Sequence, residues 1–215
     1  MKNDLESVGN YFKLHPFKKY QKYETFFRAE DKPQHLFYLE SGYVRQYYLT
    51  ANGDELTINI FKPRSFFLVT WLYGQTDTNY YFETLNKSRI YQAPLTATKL
   101  YFEENPKLLL DLTQRLARGL IAQSERLHYL VYGSAQQKVA ATILNLAKRF
   151  GRAQGKTILI DLPLTHRLIA SMAALARETC SLEIEDLRKN GIIRSRQQAM
   201  AVLDMKRLSE AAQAE

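Results

Sequence analysis

The chain has 215 residues, of which 46% are hydrophobic and 24% charged, with a formal net charge of +8. That balance excludes a disordered polyelectrolyte, and the want of any run of about 18 apolar residues excludes a membrane-spanning helix. The single cysteine, Cys180, excludes an internal disulfide and any cysteine-held zinc or iron-sulfur cluster of this chain alone, so it reads as a small buried hydrophobe.

The opening residues 1–10 lack the apolar stretch of a secretory signal, and a soluble, cytoplasmic protein is expected. Of the 26 aromatic residues, 25 precede Gly133 and only Phe150 follows it, which predicts two cores rather than one. From residue 133 onward there are 13 Lys/Arg against 8 Asp/Glu, compared with 17 against 14 before it. Positive charge gathered in the aromatic-poor segment favours a polyanionic partner such as nucleic acid.

The front segment reads as strands. Residues 36–49 and 55–61 are rich in β-branched and aromatic types, Gly42 breaks the first run, and Thr50 to Asp54 supply a hairpin turn. Alternation of Leu56, Ile58 and Ile60 with Glu55, Thr57 and Asn59 predicts one buried and one exposed face. Lys62, Pro63 and Arg64 make a loop, because proline interrupts a ladder. Further strands are expected at Ser65–Leu72, Asn79–Thr84 and Ser88–Gln92. Short strands punctuated by Gly and Pro at this spacing point to a sandwich or a jelly-roll barrel.

Leu100 and Phe102 close a short helical piece, and Asn105-Pro106 then opens a helix with Asn105 as N-cap. Leu109, Leu112, Leu116, Leu120, Ser124, Leu127 and Val131 recur at steps of three or four, widened by Leu108, Ile121 and Leu130. A helix of about 25 residues with such a stripe invites pairing with its twin in a homodimer, the alternative being packing on its own β-domain. His128 lies beside the stripe.

Ser134 is an N-cap candidate for the next helix, whose inward face is Val139, Ile143, Leu146, Ala147 and Phe150. Gly151 and Gly155 end it and turn the chain into a strand at 157–162. Thr165 caps a helix with Leu168, Ile169 and Met172 inward, and Leu175 and Ala176 occupy a bend. A second helix from Arg177 to Lys189 turns Cys180, Ile184 and Leu187 inward and stops at Asn190-Gly191. Two short amphipathic helices joined by a tight turn describe a helix-turn-helix. Ile192-Ile193, the basic stretch 194–198 and Met200–Leu203 read as strand, loop and strand, a wing. Asp204 caps a final helix, after which the tail frays.

These residues carry a resemblance. From 136 to 208 the chain resembles the DNA-binding domain of the Crp/Fnr family of bacterial transcription regulators: QQKVAATILNLAKRF its first helix, IDLPLTHRLIA its strand-Pro-Thr entry, and ARETCSLEIEDLRKNGII its recognition helix with the telling Arg-Glu-Thr triplet. The front half is similar in size and organisation to the family's cyclic-nucleotide-binding-like domain, and the long helix to its dimerisation helix. The resemblance implies an α+β fold: an N-terminal jelly-roll β-barrel sensor over 1–102, a dimerisation helix over 103–132 and a C-terminal winged helix-turn-helix over 133–215.

It also implies a function, that of a homodimeric, sequence-specific transcription regulator on double-stranded DNA, not an enzyme. The family's base-reading residues fall on Arg177 and Glu178, with Ser181 one turn on. Arg can bond bidentately to guanine while Glu accepts from cytosine N4. Leu182 stands where the family often has another arginine and could meet a thymine methyl, and Glu183 is polar where an apolar residue is usual. Thr165, His166 and Arg167 open the preceding helix, where free N–H groups favour a DNA phosphate, and Arg194 and Arg196 of the wing add phosphate contacts. Leu168 replaces a glutamate often seen there, which implies altered packing.

The effector is less determined. Family members that bind cyclic AMP share a Gly-Glu pair and an Arg-Ser or Arg-Thr pair, whereas the matching stretches here are Phe67-Leu68-Val69-Thr70 and Asn79-Tyr80. Burying a cyclic phosphate without a cationic cradle is costly, which argues against cyclic AMP. Arg64 and Arg89 read as surface residues, the alternative being partners of another anionic ligand. An iron-sulfur cluster lacks its cysteines, and the scattered His15, His35 and His128 make a poor haem case. The aromatic residues could line a pocket for an unidentified small-molecule effector, or simply pack the core and dimer. Activation would further demand a surface for RNA polymerase. A cupin-type enzyme would want a His-x-His pair that is missing. An interaction protein that has lost DNA binding, and a regulator that needs no effector, remain alternatives of the same fold.

Overall fold

The computed structural model describes residues 2–74, 78–196 and 199–213. The chain divides into two compact units, Met1–Leu120 and Ile121–Glu215. Among the described residues no helix is long and apolar enough to cross a membrane.

The first unit opens with helix α1 (Lys2–Lys13) and strands β1 (Phe17–Tyr20) and β2 (Thr25–Phe27), none of which the pattern of the sequence announces. There follow β3 (His35–Ser41), β4 (Val44–Leu49), β5 (Glu55–Phe61), β6 (Ser65–Phe67), α2 (Val69–Gly74), β7 (Tyr81–Thr84), β8 (Ser88–Pro94) and α3 (Leu95–Glu103). They form two four-stranded antiparallel sheets, ordered β1-β8-β3-β6 and β2-β7-β4-β5. One core of Phe27, Leu36, Leu39, Val44, Phe67, Phe82 and Ile90 draws on both sheets, the arrangement of a jelly roll.

Gly42 is the corner between the sheets, at φ +91, where a Cβ would stand 2.1 Å from Ser88 Oγ. No other residue type fits that position unstrained. The chain then crosses from β3 in one sheet to β4 in the other, so Gly42 does more than separate two strands.

Two expectations for this unit need correction. Residues 65–72 do not form one strand. Leu68 takes φ +71, which ends β6 at Phe67 and starts α2. The face of β5 is not Leu56, Ile58 and Ile60 throughout, because Thr57 and Ile60 are the fully buried pair. Tyr47 pairs with Thr57 but its neighbour Gln46 pairs with Asn59, so Ile58 is the extra residue of a bulge and the period shifts by one.

Helix α4 (Pro106–Tyr132) runs 27 residues, close to the length expected from the stripe. Its opening is not a simple cap: Asn105 Nδ2 donates to Tyr101 O at 2.6 Å, serving the end of α3. Leu108 and Leu112 are buried in the first unit's core. Beyond them the stripe is bare in the single chain, with Leu116, Leu120, Ile121, Leu127 and Val131 between 44% and 70% exposed.

The second unit contains α5 (Ala135–Phe150), β9 (Gly151–Gln154), β10 (Thr157–Ile160), α6 (His166–Ala173), α7 (Arg177–Lys189), β11 (Ile193–Arg196), β12 (Ala199–Val202) and α8 (Met205–Ala211). Ser134 and Gln137 make a reciprocal capping box at the start of α5. Val139, Ile143, Leu146, Ala147 and Phe150 are all buried, as their spacing requires. Gly151 leaves the helix where a Cβ would meet Ala147 O at 2.1 Å, and the chain enters a strand, β9, that the sequence does not reveal. Thr165 and Asp204 cap α6 and α8 through Leu168 N and Arg207 N. The four strands form a small antiparallel sheet in the order β11-β12-β10-β9. Arg194, Ser195 and Arg196, expected in the wing's loop, belong instead to β11, while Gln197 and Gln198 lie outside the described residues.

Candidate nucleic-acid interface

The interface is built on two short helices and the turn between them. Thr165 takes an extended backbone and its Oγ1 accepts from Leu168 N at 3.1 Å, so the first turn of α6 starts with one of its orphan donors satisfied. Leu168 is 4% exposed, which explains an apolar residue at a position where a glutamate would be stranded.

The turn depends on Ala174, at φ +51, rather than on a glycine. Its amide donates to Ala170 O, and Leu175 N donates to the same carbonyl at 3.1 Å. A further carbonyl at this helix end, Met172 O, accepts from Arg126 Nη2 of α4 at 2.7 Å. Burial lowers the pKa of Arg126, and nearby Tyr129 opposes that shift. A cation at the negative end of a helix is favourable. Sequence reading missed Arg126, since nothing in α4 marks a partner 46 residues away.

Helix α7 turns Cys180, Ile184 and Leu187 into the core and leaves Arg177 and Glu178 exposed at its first turn. Ala176 offers no side-chain cap, so acidic Glu178 is the residue that complements the helix dipole. Leu182, one turn on, is 72% exposed, a large apolar side chain in water on the same face. Arg177, Glu178, Ser181, Leu182 and Glu185 share that face at spacings of three and four. Burial pushes the Cys180 thiol up to about 12, with the Glu183 carboxylate adding to it, so the thiol stays protonated.

Ser181 is engaged within the unit. Its hydroxyl donates to Arg177 O at 2.8 Å and lies 2.8 Å from His166 Nδ1. The structure thus draws His166, Ser181 and Arg177 together across the turn, while Thr165 and Arg167 flank His166 at the head of α6. Arg194 is exposed on the β11–β12 hairpin, opposite Ala201, and the backbone of Arg196 pairs with Ala199. They belong to a separate element of the same unit.

The stretch of the first unit that matches the family's Gly-Glu pair is apolar and packed. Leu68, Val69 and Leu72 are buried, and Phe67 lies among Phe37, Phe61 and Phe82 at 5.8, 4.9 and 5.3 Å between ring centres. Arg89 is occupied by Glu40 at 3.0 Å and stacks on Phe17. On the other face of the second sheet, Arg45 is 7% exposed and bonds Glu55 at 2.6 Å and Glu83 at 3.0 Å, a buried triad that the sequence did not signal.

Family models match in both units: the cyclic nucleotide-binding domain over residues 17–105 and the Crp-like helix-turn-helix domain over residues 137–211. The chain is 30% identical over 174 residues to the transcriptional regulator SdrP of Thermus thermophilus, covering 80% of this chain and 81% of that one. It is 25% identical over 185 residues to the CRP-like cAMP-activated global transcriptional regulator of Mycobacterium tuberculosis, covering 86% and 83%. It is also similar to the solved structure of a CRP/FNR-family transcriptional regulator from Thermus thermophilus, with TM-score 0.71, 26% identity and coverage of 92% and 98%.

Proposed function

The chain belongs to the Crp/Fnr family of transcription regulators, and from that premise we propose that it acts as a cytoplasmic homodimer that sets a recognition helix from each subunit into a palindromic operator. The observation that carries this reading is the exposed opening of α7. Arg177 and Glu178 stand in solvent on a helix whose opposite face is locked into the core by Cys180, Ile184 and Leu187. A guanidinium and a carboxylate held so can pair with guanine and cytosine edges in the major groove, each good pairing worth about 1–3 kcal/mol of discrimination.

In this proposal Leu182 meets a thymine methyl, and Thr165, His166, Arg167, Arg194 and Arg196 hold the phosphates. Phosphate contacts set register and general affinity, and bases set sequence. The bare stripe on α4 is the dimer seam, since five large apolar side chains left in water along one helix are stabilised by a second copy of the same helix. Residues 1–102 are the sensor, 103–132 the dimer helix and 133–215 the DNA-binding domain.

The sensor takes an effector other than cyclic AMP, or none. Apolar Leu68, Val69 and Leu72 are packed where a ribose and phosphate would need polar partners. A contact with RNA polymerase belongs to the proposal for activation, whereas repression needs only occupancy.

The test is selection of bound sequences from a random duplex library by the purified protein at two salt concentrations. A two-fold symmetric motif is expected, lost from Arg177→Ala and Glu178→Ala while salt-sensitive general binding persists. Recovery of the same motif from both variants would overturn the assignment of α7 as the reader.

A further inference from the structure

The contact between His166 and Ser181 has one arrangement that satisfies every partner. A serine hydroxyl carries one proton, and that of Ser181 is given to Arg177 O at 2.8 Å. Both this bond and the 2.8 Å contact with His166 Nδ1 are made at once when Ser181 Oγ accepts from an Nδ1–H. That assignment leaves Nε2 as the ring atom at which the neutral and charged imidazole differ. Uncharged, the ring offers a lone pair at Nε2; charged, it offers an N–H.

His166 is also the first residue of α6, next to the Thr165 cap, and is half-buried. In the proposed complex this helix end faces a DNA phosphate. The charged residues next to it in sequence are Arg167 on its own helix and, flanking Ser181 on α7, which packs against α6, Arg177, Glu178, Glu183 and Glu185. Helix α5, packed against α6, contributes only cations: Lys138, Lys148 and Arg149. A neutral imidazole presenting a lone pair repels a phosphate oxygen, whereas an imidazolium donates a charge-assisted bond to it.

Resting on the reading of this chain as an operator-binding regulator, we propose that His166 is a proton-linked phosphate ligand and that Ser181 is its positioning residue rather than a base reader. Operator binding then takes up a proton at each His166. Affinity is highest when the ring is already charged and falls as pH rises.

The experiment measures the affinity of the dimer for its selected duplex from about pH 5.5 to about pH 8.5 at constant ionic strength, a range that spans the charge change of an ordinary imidazole. The unaltered protein is expected to weaken with rising pH, with a limiting slope of about tenfold per pH unit for each proton taken up. His166→Gln should lose most of that slope and stay weak, and His166→Arg should lose it and stay tight. Comparison with His166→Gln removes the contributions of His15, His35 and His128.

Ser181→Ala separates orientation from base reading. An orienting serine gives a smaller pH slope with the selected motif unchanged, whereas an altered motif would overturn its positioning role. Equal slopes in the unaltered protein and His166→Gln, or a flat profile with tight operator binding, would overturn the proton linkage alone. Absence of operator binding at every pH would overturn the regulator reading and this inference with it.

Discussion

In the β-roll the large side chains face one another, with Phe67 ringed by Phe37, Phe61 and Phe82 and both Phe67 and Phe82 at most 2% exposed. In the winged unit the core is aliphatic, built on Val139, Ile143, Leu146, Ile169 and Ile184, and Arg177, Glu178 and Leu182 are exposed. The first unit depends on pairing between strands far apart in sequence. The second depends on short helices, each fixed at its own start by Ser134, Thr165 or Asp204. A unit built from distant contacts and a unit built from local ones should respond differently to the same kind of mutation.

Truncating a ring in the roll should have the largest effect. Phe82→Ala removes a side chain 1% exposed and should cost about 3–5 kcal/mol. Hydrogen exchange should show it as opened amides in β4 and β7, with protection in α5 to α7 unchanged. Equal loss of protection in both units would break the comparison by showing that they unfold as one.

A smaller effect is expected where a local cap is removed. Thr165→Ala takes away the acceptor for Leu168 N and should cost about 1 kcal/mol in chemical denaturation. It should also weaken DNA binding about equally for all sequences, because only the head of α6 is disturbed. A cost as large as that of Phe82→Ala would mean that the winged unit is not held mainly by its aliphatic core.

The smallest effect at neutral pH concerns Cys180. Its folded thiol titrates at about 12 against an ordinary 9.0, so the folded state holds its proton longer than the unfolded chain does. The thiol's contribution is therefore fully present below about pH 9 and is lost as pH rises from there toward 12. Relative to Cys180→Ala, the unaltered protein should lose stability over that interval, and its thiol should resist alkylation at neutral pH. Rapid alkylation of the folded protein would contradict the burial of α7's inner face.

How much was legible follows the same division. The caps and the inward faces of α5, α6 and α7 could be read because each depends on residues three or four apart, whereas the wing was read as a hairpin with its loop begun too early, at Arg194 rather than after β11. Arg177, Glu178 and Leu182 were legible as exposed for the same reason. The front half yielded β3, β4 and the hairpin to β5, whose turn residues are adjacent, but not α1, β1 or β2. The bulge at Ile58 and the helix after Leu68 also escaped, since both arise from how neighbouring strands register and not from the segment's own pattern.

By itself, then, the sequence determined the family's fold, the order of its parts and the residues that a recognition helix would expose. Helical periodicity, caps and charge are properties of short stretches and survive without knowledge of neighbours. The tertiary structure alone decided which face of β5 is buried, that Gly42 turns the chain between sheets, that Arg126 closes the end of α6 and that Ser181 is engaged by His166. Each of these joins groups that are distant along the chain, or fixes a proton by a second partner, and a hydrogen bond's direction is set only when both of its partners are in place.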